Sequence, residues 1–330
     1  MSIESLSGPS ERSLLMVHGR DFKPGHDAYM DLSMAALRAG IERDYPESMM
    51  SFDAVEKHMA WYGDLNAEIL LAAGKKYDLD LDIGDRRSAL AALKEIQPRK
   101  RFGIREYDRL PGKSALPEFI ADVSAPLLGA VGLSRALLGT VAKDFVAYFD
   151  RRRNYAERVR KRVRDELCAL MDRGKRIVLL SHGTGSVITY DVLWQLTHQP
   201  EFKDTYGGHK IEAWITLGSP LGDRYLQRRL LGANEKSESR FPGNVITWHN
   251  VAAEDDYICH DNTLADDYKK MLKHRVVSAV HDYHIFNLAV RYGKSNPHSS
   301  IGYYIHPRVS KLVVDWLQSD NLGATPRYTL

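Results

Sequence analysis

A turn of small residues is the first feature of this sequence that could do chemistry. The apolar run at 177–180 leads into Ser-His-Gly-Thr-Gly at 181–185, and a helical apolar pattern follows. Such a strand–turn–helix unit presents its strained central residue at the edge of a sheet, where acyl-transfer enzymes carry a nucleophilic serine. The central residue here is Gly183, which has no hydroxyl but adopts positive φ without strain. The sequence therefore predicts the turn without its nucleophile.

An acid and a base further along the chain have the types needed for the rest of a catalytic triad. Asp255 and Asp256 follow the apolar run at 245–248, and His298 lies in a loop before the last helical pattern. A histidine that is oriented by a carboxylate can take a proton from a hydroxyl or from water. We favour Asp256 as the acid because it ends its loop just before an aromatic residue, and Asp255 is the alternative.

A parallel sheet is needed to bring these distant residues together. Short apolar runs alternate with longer helical patterns, which predicts an α/β fold with helices on both faces of a mostly parallel sheet. In such sheets, ligands bind at the carboxyl ends of the strands, where His18, Gly19 and Ser219 also fall. The runs lie at 14–17, 56–62 (the weakest), 177–180, 213–217 and 245–248.

With these segments in this order, the chain resembles the α/β-hydrolase superfamily, in its lipase and serine-esterase-like branch. The turn at 181–185 is similar to the nucleophile elbow of that family, and residues 17–19 to its oxyanion loop. Residues 217–220 are similar to the segment after the strand that follows the elbow. The acid loop of the family is matched by 248–257, and its histidine loop by 296–304. The family order of nucleophile, acid and histidine is kept. Because there is no room for two further strands before residue 13, the resemblance implies a sheet of about six strands.

The resemblance also implies the roles of the site residues. Gly183, Asp256 and His298 take the three triad positions, and the first of them lacks its serine. Backbone N–H groups near Gly19 and Thr184 are the implied oxyanion donors. Three further residues are expected beside the substrate, namely His18, His182 and Ser219.

An insertion from 66 to 155 interrupts the alternation of strands and helices. Its second half is strongly apolar between 116 and 149, with glycines at 129, 132 and 139. We interpret the insertion as a helical cap within a single domain that spans 1–330. Its apolar face either packs on the main core, as most apolar stripes do, or forms a lid over a lipophilic pocket.

Composition narrows the class of protein. The 330 residues carry a formal net charge of only +3, without the basic excess that a nucleic-acid binder shows. The two cysteines, at 168 and 259, are far apart, which is typical of a reducing compartment. The amino-terminal residues do not form a signal peptide, and there is no apolar run long enough to span a membrane. We therefore expect a cytoplasmic protein, with no cofactor and no metal.

Two functional hypotheses follow from these residues. In the first, the protein is a hydrolase of an ester, thioester or lipid-type acyl substrate. His298 then activates water directly, or a hydroxyl of Ser181, Thr184, Ser186 or Ser219 replaces the missing serine. In the second, it is an inactive pseudohydrolase that senses a small-molecule or lipid-like ligand, or docks a protein partner. The cap surface could serve such a partner or a second copy of the chain.

Two further interpretations remain open from the sequence. The residues Asp255, Asp256, His260, Asp261, Asp266 and Asp267, with His249 upstream, have the types that bind divalent metals, although their spacing fits no known pattern. Gly183 could also be an introduced change that traps an inactive form of the protein.

Overall fold

The fold is built on one parallel sheet of six strands. The computed structural model describes residues 11–97, 101–112, 143–150, 152, 154–259 and 263–319. The strand order is β2-β1-β3-β4-β5-β6, and every neighbouring pair is parallel. The six strands are β1 Arg12–Val17, β2 Glu56–Ala60, β3 Arg176–His182, β4 Ile211–Leu217, β5 Val245–Ala253 and β6 Ala279–Ile285. A separate antiparallel hairpin pairs β7 Val290–Arg291 with β8 Lys294–Ser295.

Helices cover both faces of this sheet. Those before β3 are α1 His26–Asp44, α2 Met49–Ala54, α3 Gly63–Ala72, α4 Leu79–Lys94, α5 Ile104–Tyr107, α6 Lys143–Phe149 and α7 Tyr155–Asp172. Those after it are α8 Thr184–His198, α9 Pro200–Tyr206, α10 Arg224–Gln227, α11 Leu264–Asp267, α12 Lys269–Lys273, α13 Ser300–Tyr304 and α14 Pro307–Gln318. The predicted α/β architecture, with helices on both faces of a six-stranded parallel sheet, is confirmed.

The central strands are apolar on both sides because two separate cores enclose them. Side chains alternate along a strand, so Leu14 and Met16 of β1 face one core while Leu15 and Val17 face the other. One core lies under α1, α13 and α14, and the other lies under α7 and α8. Within the second core, Trp214 of β4 stacks on Trp248 of β5 with ring centroids 4.5 Å apart.

The described part of the 66–155 insertion is helical. It includes α4, which packs on α1 and α13, and α6, which packs on α3 and α7. The predicted cap as a unit stays a prediction, because residues 113–142, with most of its apolar stretch, lie outside the described residues. No helix in the described part of the chain is long and apolar enough to cross a bilayer.

Candidate active site

The central residue of the turn after β3 has a positive φ, which strains any residue other than glycine. Gly183 lies at φ 54° and ψ −125°, a region that costs a side chain about 1–3 kcal/mol. Its N–H donates to the carbonyl of Leu217 at 2.9 Å, which ties the turn to β4. Two residues on, a Cβ at Gly185 would stand 2.4 Å from the carbonyl oxygen of His18. The small residue at 185 therefore lets α8 approach the end of β1.

The serines near the elbow are structural. The buried Ser181 hydroxyl accepts the indole N–H of Trp214 at 2.8 Å and contacts the Ser186 hydroxyl at 3.1 Å. Ser219 is also buried, and its hydroxyl accepts the N–H of Leu221 at 3.3 Å. Among the four hydroxyl residues considered as substitutes for the missing nucleophile, Thr184 is the one that lines a recess beside the elbow.

His298 and Asp256 form a closely hydrogen-bonded pair at the carboxyl edge of the sheet. His298 Nδ1 lies 2.9 Å from Oδ2 and 3.1 Å from Oδ1 of Asp256. The carboxylate also accepts the Tyr303 hydroxyl at 2.7 Å and the N–H of Ile258 at 3.0 Å. Burial by itself would raise the pKa of Asp256, but His298 and these donors lower it below its usual value. The acid is thus held ionised against the imidazole.

The other nitrogen of this imidazole faces the elbow. A Cβ at Gly183 would stand 2.9 Å from His298 Nε2, closer than carbon and nitrogen normally approach. The ring therefore occupies the start of the path that a serine side chain would take. Gly218, at φ +55°, makes room for the aspartate that pairs with this ring, since a Cβ there would lie 2.7 Å from Asp256 Oδ2.

Asp255, the alternative acid, lies elsewhere. Its side chain is exposed, and its Oδ2 accepts the hydroxyl of Tyr107 at 2.7 Å. The residue itself has φ +58°, so the chain turns sharply between the two aspartates. The structure pairs Asp256, and not Asp255, with His298.

Side chains hold three successive carbonyls of the histidine loop. The Asn287 amide donates to Pro297 and Ser299, both at 2.9 Å, and His182 Nε2 donates to the carbonyl of His298 at 2.9 Å. Burial lowers the pKa of His182 well below its usual value, so this ring is neutral. The sequence predicted His182 beside the site, but it did not predict Asn287 or Tyr303, for which no local pattern gives a signal.

The loop after β1 is fixed by a buried, neutral histidine. His18 Nε2 accepts the N–H of Tyr62 at 3.2 Å, so Nδ1 carries the proton and donates to the carbonyl of Gly19 at 2.8 Å. Its ring stacks on Tyr62 with centroids 3.9 Å apart, and burial lowers its pKa to about 3. Gly19 in turn packs against His182, whose Nδ1 lies 3.0 Å from the position of a Cβ at Gly19. The expected oxyanion loop therefore touches the elbow.

A recess opens beside the elbow, on the side of α6 and α7. Its free volume among the described residues is about 10 Å³, close to the room that one water molecule needs. The hydroxyl of Tyr148 donates to the buried Asp191 at 2.7 Å, and that of Tyr155 donates to Asn66 at 2.5 Å. Since these hydroxyls are engaged elsewhere, the tyrosines offer mainly ring surface. The lining residues are Arg20, Tyr62, Asn66, Tyr148, Tyr155, Thr184, Val187 and Ile188.

The described side chains of the acidic segment that was considered for metal binding are not grouped in space. Within the described residues, no three His, Cys, Asp or Glu side chains are grouped so that they could hold a metal ion. His249 contacts Tyr283 instead, Asp267 accepts the Gln227 amide, and Asp256 is taken by His298. Two residues of the set, His260 and Asp261, lie outside the described residues.

The comparisons with known proteins add no relative. The chain matches no family model, no curated protein and no solved structure. What the fold and the site define is therefore a class: an α/β protein with a histidine–aspartate pair that faces a glycine elbow at the carboxyl edge of a parallel sheet.

Proposed function

We propose that this chain is an α/β-hydrolase-like enzyme for an ester, thioester or lipid-type acyl substrate, with His298 as general base. The observation that carries the proposal is the orientation of His298. Its Nδ1 lies 2.9 Å from Asp256, while Nε2 points at the elbow. A buried aspartate with three donors keeps the imidazole in the tautomer whose Nε2 can accept a proton.

Water is the proposed nucleophile, because position 183 has no side chain. His298 Nε2 takes a proton from water while the water oxygen bonds to the acyl carbon, and Asp256 stabilises the imidazolium that forms. Backbone N–H groups of Gly19 and Thr184 are the proposed donors to the developing oxyanion. The imidazolium then returns the proton to the alkoxide or thiolate as the bond to the acyl carbon breaks.

The first test is hydrolysis of acetyl, butyryl, octanoyl and lauroyl nitrophenyl esters, with matched thioesters. We expect His298→Ala and Asp256→Asn to lower kcat/KM by about 10²–10⁴-fold, since each removes general-base catalysis. Asp255→Asn is the matched control: it lies next to Asp256, keeps a residue that tolerates positive φ, and should change kcat/KM by less than about twofold. Turnover that survives in His298→Ala would exclude His298 as the base.

A ligand-binding pseudohydrolase is the second candidate, and one observation favours it. His298 Nε2 stands only 2.9 Å from the missing Cβ of Gly183, so the ring closes on the elbow where a nucleophile would be. Under this reading the protein binds acyl compounds without turnover. Activity should then appear in Gly183→Ser and not in Gly183→Ala, which adds the same Cβ without a hydroxyl. Turnover by the unaltered protein that depends on His298 would contradict this candidate.

A further inference from the structure

Two surface segments, residues 224–240 and 264–275, concentrate positive charge. Together they contain nine lysines and arginines but four aspartates and glutamates. Their excess of five positive charges is larger than the net charge of +3 of the whole chain, so the rest of the sequence is slightly acidic. Exposed cations on and beside α10 and α12 are Arg224, Arg228, Lys269, Lys270, Lys273 and Arg275.

The two segments lie side by side. The side-chain amide of Gln227, in α10, donates to the carboxylate of Asp267, in α11, at 3.0 Å. Gln227 also lines the same small cavity as Arg240 and Lys270, one from each segment. The exposed face of the two segments is therefore one continuous surface, which we call the basic surface.

Acidic side chains do not neutralise the basic surface. Within the described part of the chain, the six exposed cations named above form no ion pair. The cations of α7 differ in this respect, since Arg158 pairs with Glu68 at 2.8 Å and Arg162 pairs with Asp64 at 3.2 Å. The charge of the basic surface is thus available to an anionic partner, whereas much of the charge of α7 is balanced within the fold.

Apolar side chains are exposed among these cations. Leu272, next to Lys273, is 39% exposed, and Tyr225, next to Arg224, is 41% exposed. The guanidinium of Arg229 covers one face of the Tyr225 ring, with its carbon 3.4 Å from the ring centroid. Leucine gains free energy in an acyl layer but offers no ring on which a nucleic-acid base could stack. Exposed leucine and tyrosine among lysines and arginines therefore favour a lipid surface over a nucleic acid.

We propose that the basic surface binds the face of an anionic lipid bilayer. Its cations pair with the headgroups, while Leu272 and Tyr225 enter the interfacial layer below them. This inference goes beyond the proposed hydrolase function and does not rest on it, because it is argued from a different surface and is measured by binding alone.

Co-sedimentation of the full chain with lipid vesicles tests the proposal. One set of vesicles is pure phosphatidylcholine, and the other has about one third phosphatidylserine. We expect binding to the anionic vesicles to be at least about tenfold tighter, and to weaken when the salt concentration rises from about 0.1 M to about 0.5 M.

Charge variants locate the binding surface. Lys270→Gln/Lys273→Gln should weaken binding to the anionic vesicles by about 10–30-fold, since each cation near such a surface contributes about fivefold. Lys76→Gln/Lys94→Gln is the matched control. It removes the same charge from exposed lysines elsewhere, and Lys94 ends α4 as Lys273 ends α12. The control should change the affinity by less than about twofold.

An uncharged variant tests the apolar contribution. Leu272→Gln should weaken vesicle binding by about three- to tenfold without changing the net charge, because it removes an apolar side chain that the bilayer would bury. Leu71→Gln is its control, since Leu71 is 59% exposed on α3, outside the basic surface. This control should bind as the unaltered protein does.

The outcomes are distinct. Binding to anionic vesicles that is lost in Lys270→Gln/Lys273→Gln and retained in Lys76→Gln/Lys94→Gln supports the proposal. Equal loss in both double variants would mean attraction to general surface charge and would overturn it, as would the absence of vesicle binding. Tighter binding to duplex DNA than to the vesicles, with no effect of Leu272→Gln, would indicate a nucleic-acid partner instead. No readout uses ester hydrolysis, so failure of one proposal leaves the other standing.

Discussion

Gly183 has the strained backbone expected of an elbow residue but carries no side chain. The φ and ψ of Gly183 are those of a strained turn, and the Cβ position points at His298 Nε2 from 2.9 Å. Glycine removes both the strain and the contact. The turn is therefore held in place by its packing against β1 and β4, and its conformation does not depend on a nucleophilic side chain.

A side chain at 183 is expected to destabilise the protein. Gly183→Ala and Gly183→Ser should each lower the free energy of unfolding by about 1–3 kcal/mol, because each places a Cβ in the strained region and displaces His298. Urea unfolding of the two variants against the unaltered protein measures this. The two should agree closely, since they share the Cβ, and a stabilising effect of either would show that the elbow is relaxed in solution.

At this scale the sequence predicted that Asp256 and His298 act together; the structure brings the two side chains into contact, and the sequence missed the residues that hold them. Asp256 could be found because it follows an apolar run, and His298 because it precedes a helical pattern. Tyr303 and Asn287 could not, because their hydrogen bonds to Asp256 and to the histidine loop exist only once α13 packs against the end of β5 and the segment after β6. The same holds for Gly218, whose role is the space that it leaves for Asp256.

Among the elements, the central strands were predictable and one edge strand was not. Strands β1, β3, β4 and β5 each have two strand neighbours and are apolar on both faces, so their runs are conspicuous. Strand β6 has one strand neighbour and includes His281, Asp282 and His284, which hide it among polar segments. Its Asp282 accepts the N–H groups of Leu264 and Ala265 at the start of α11, a contact that only tertiary structure creates.

The approach of α8 to β1 depends on Gly185. Gly185→Ala should lower the free energy of unfolding by about 1–3 kcal/mol, because its Cβ would collide with backbone carbonyls of Val17 and His18. Gly84→Ala is the control: it lies in α4 with nothing within 4 Å of its Cβ position, and should stabilise by about 0.5–1 kcal/mol. Thermal and urea unfolding of the two variants test the contrast. An unchanged stability of Gly185→Ala would mean that α8 shifts at no cost.

For the whole molecule, buried histidines should make stability fall in acid. Burial lowers the pKa of His18 and His306 to about 3 and that of His249 to about 4. Burial also lowers the pKa of His182 well below its usual value. Below about pH 6.5 the unfolded chain protonates all four histidines while the folded chain does not, so unfolding takes up protons. Asp191 opposes this, since burial raises its pKa to about 6. The net uptake is about three protons near pH 5, or roughly 4 kcal/mol per pH unit.

One histidine isolates this effect. His306→Asn keeps an acceptor for the N–H of Arg308 at the start of α14 and removes the buried imidazole. The slope of unfolding free energy against pH is measured by urea unfolding between pH 7 and 5. We expect the slope for the variant to correspond to about one proton fewer than that of the unaltered protein. The same slope in the variant and the unaltered protein would mean that His306 titrates normally in the folded state.

The strand order has a consequence for how the chain reaches this structure. Strands β3 to β6 are neighbours in both sequence and space, so each joins the sheet through one crossover of 25–28 residues. Strand β1 must find β3 across the much longer stretch of chain between Val17 and Arg176, and that closure is entropically slow. We expect pulse-labelled hydrogen exchange during refolding to protect amides of β4 and β5 before those of β1. The loop after β1 would then reach its place last, beside a surface on which Gly183 and His298 already stand.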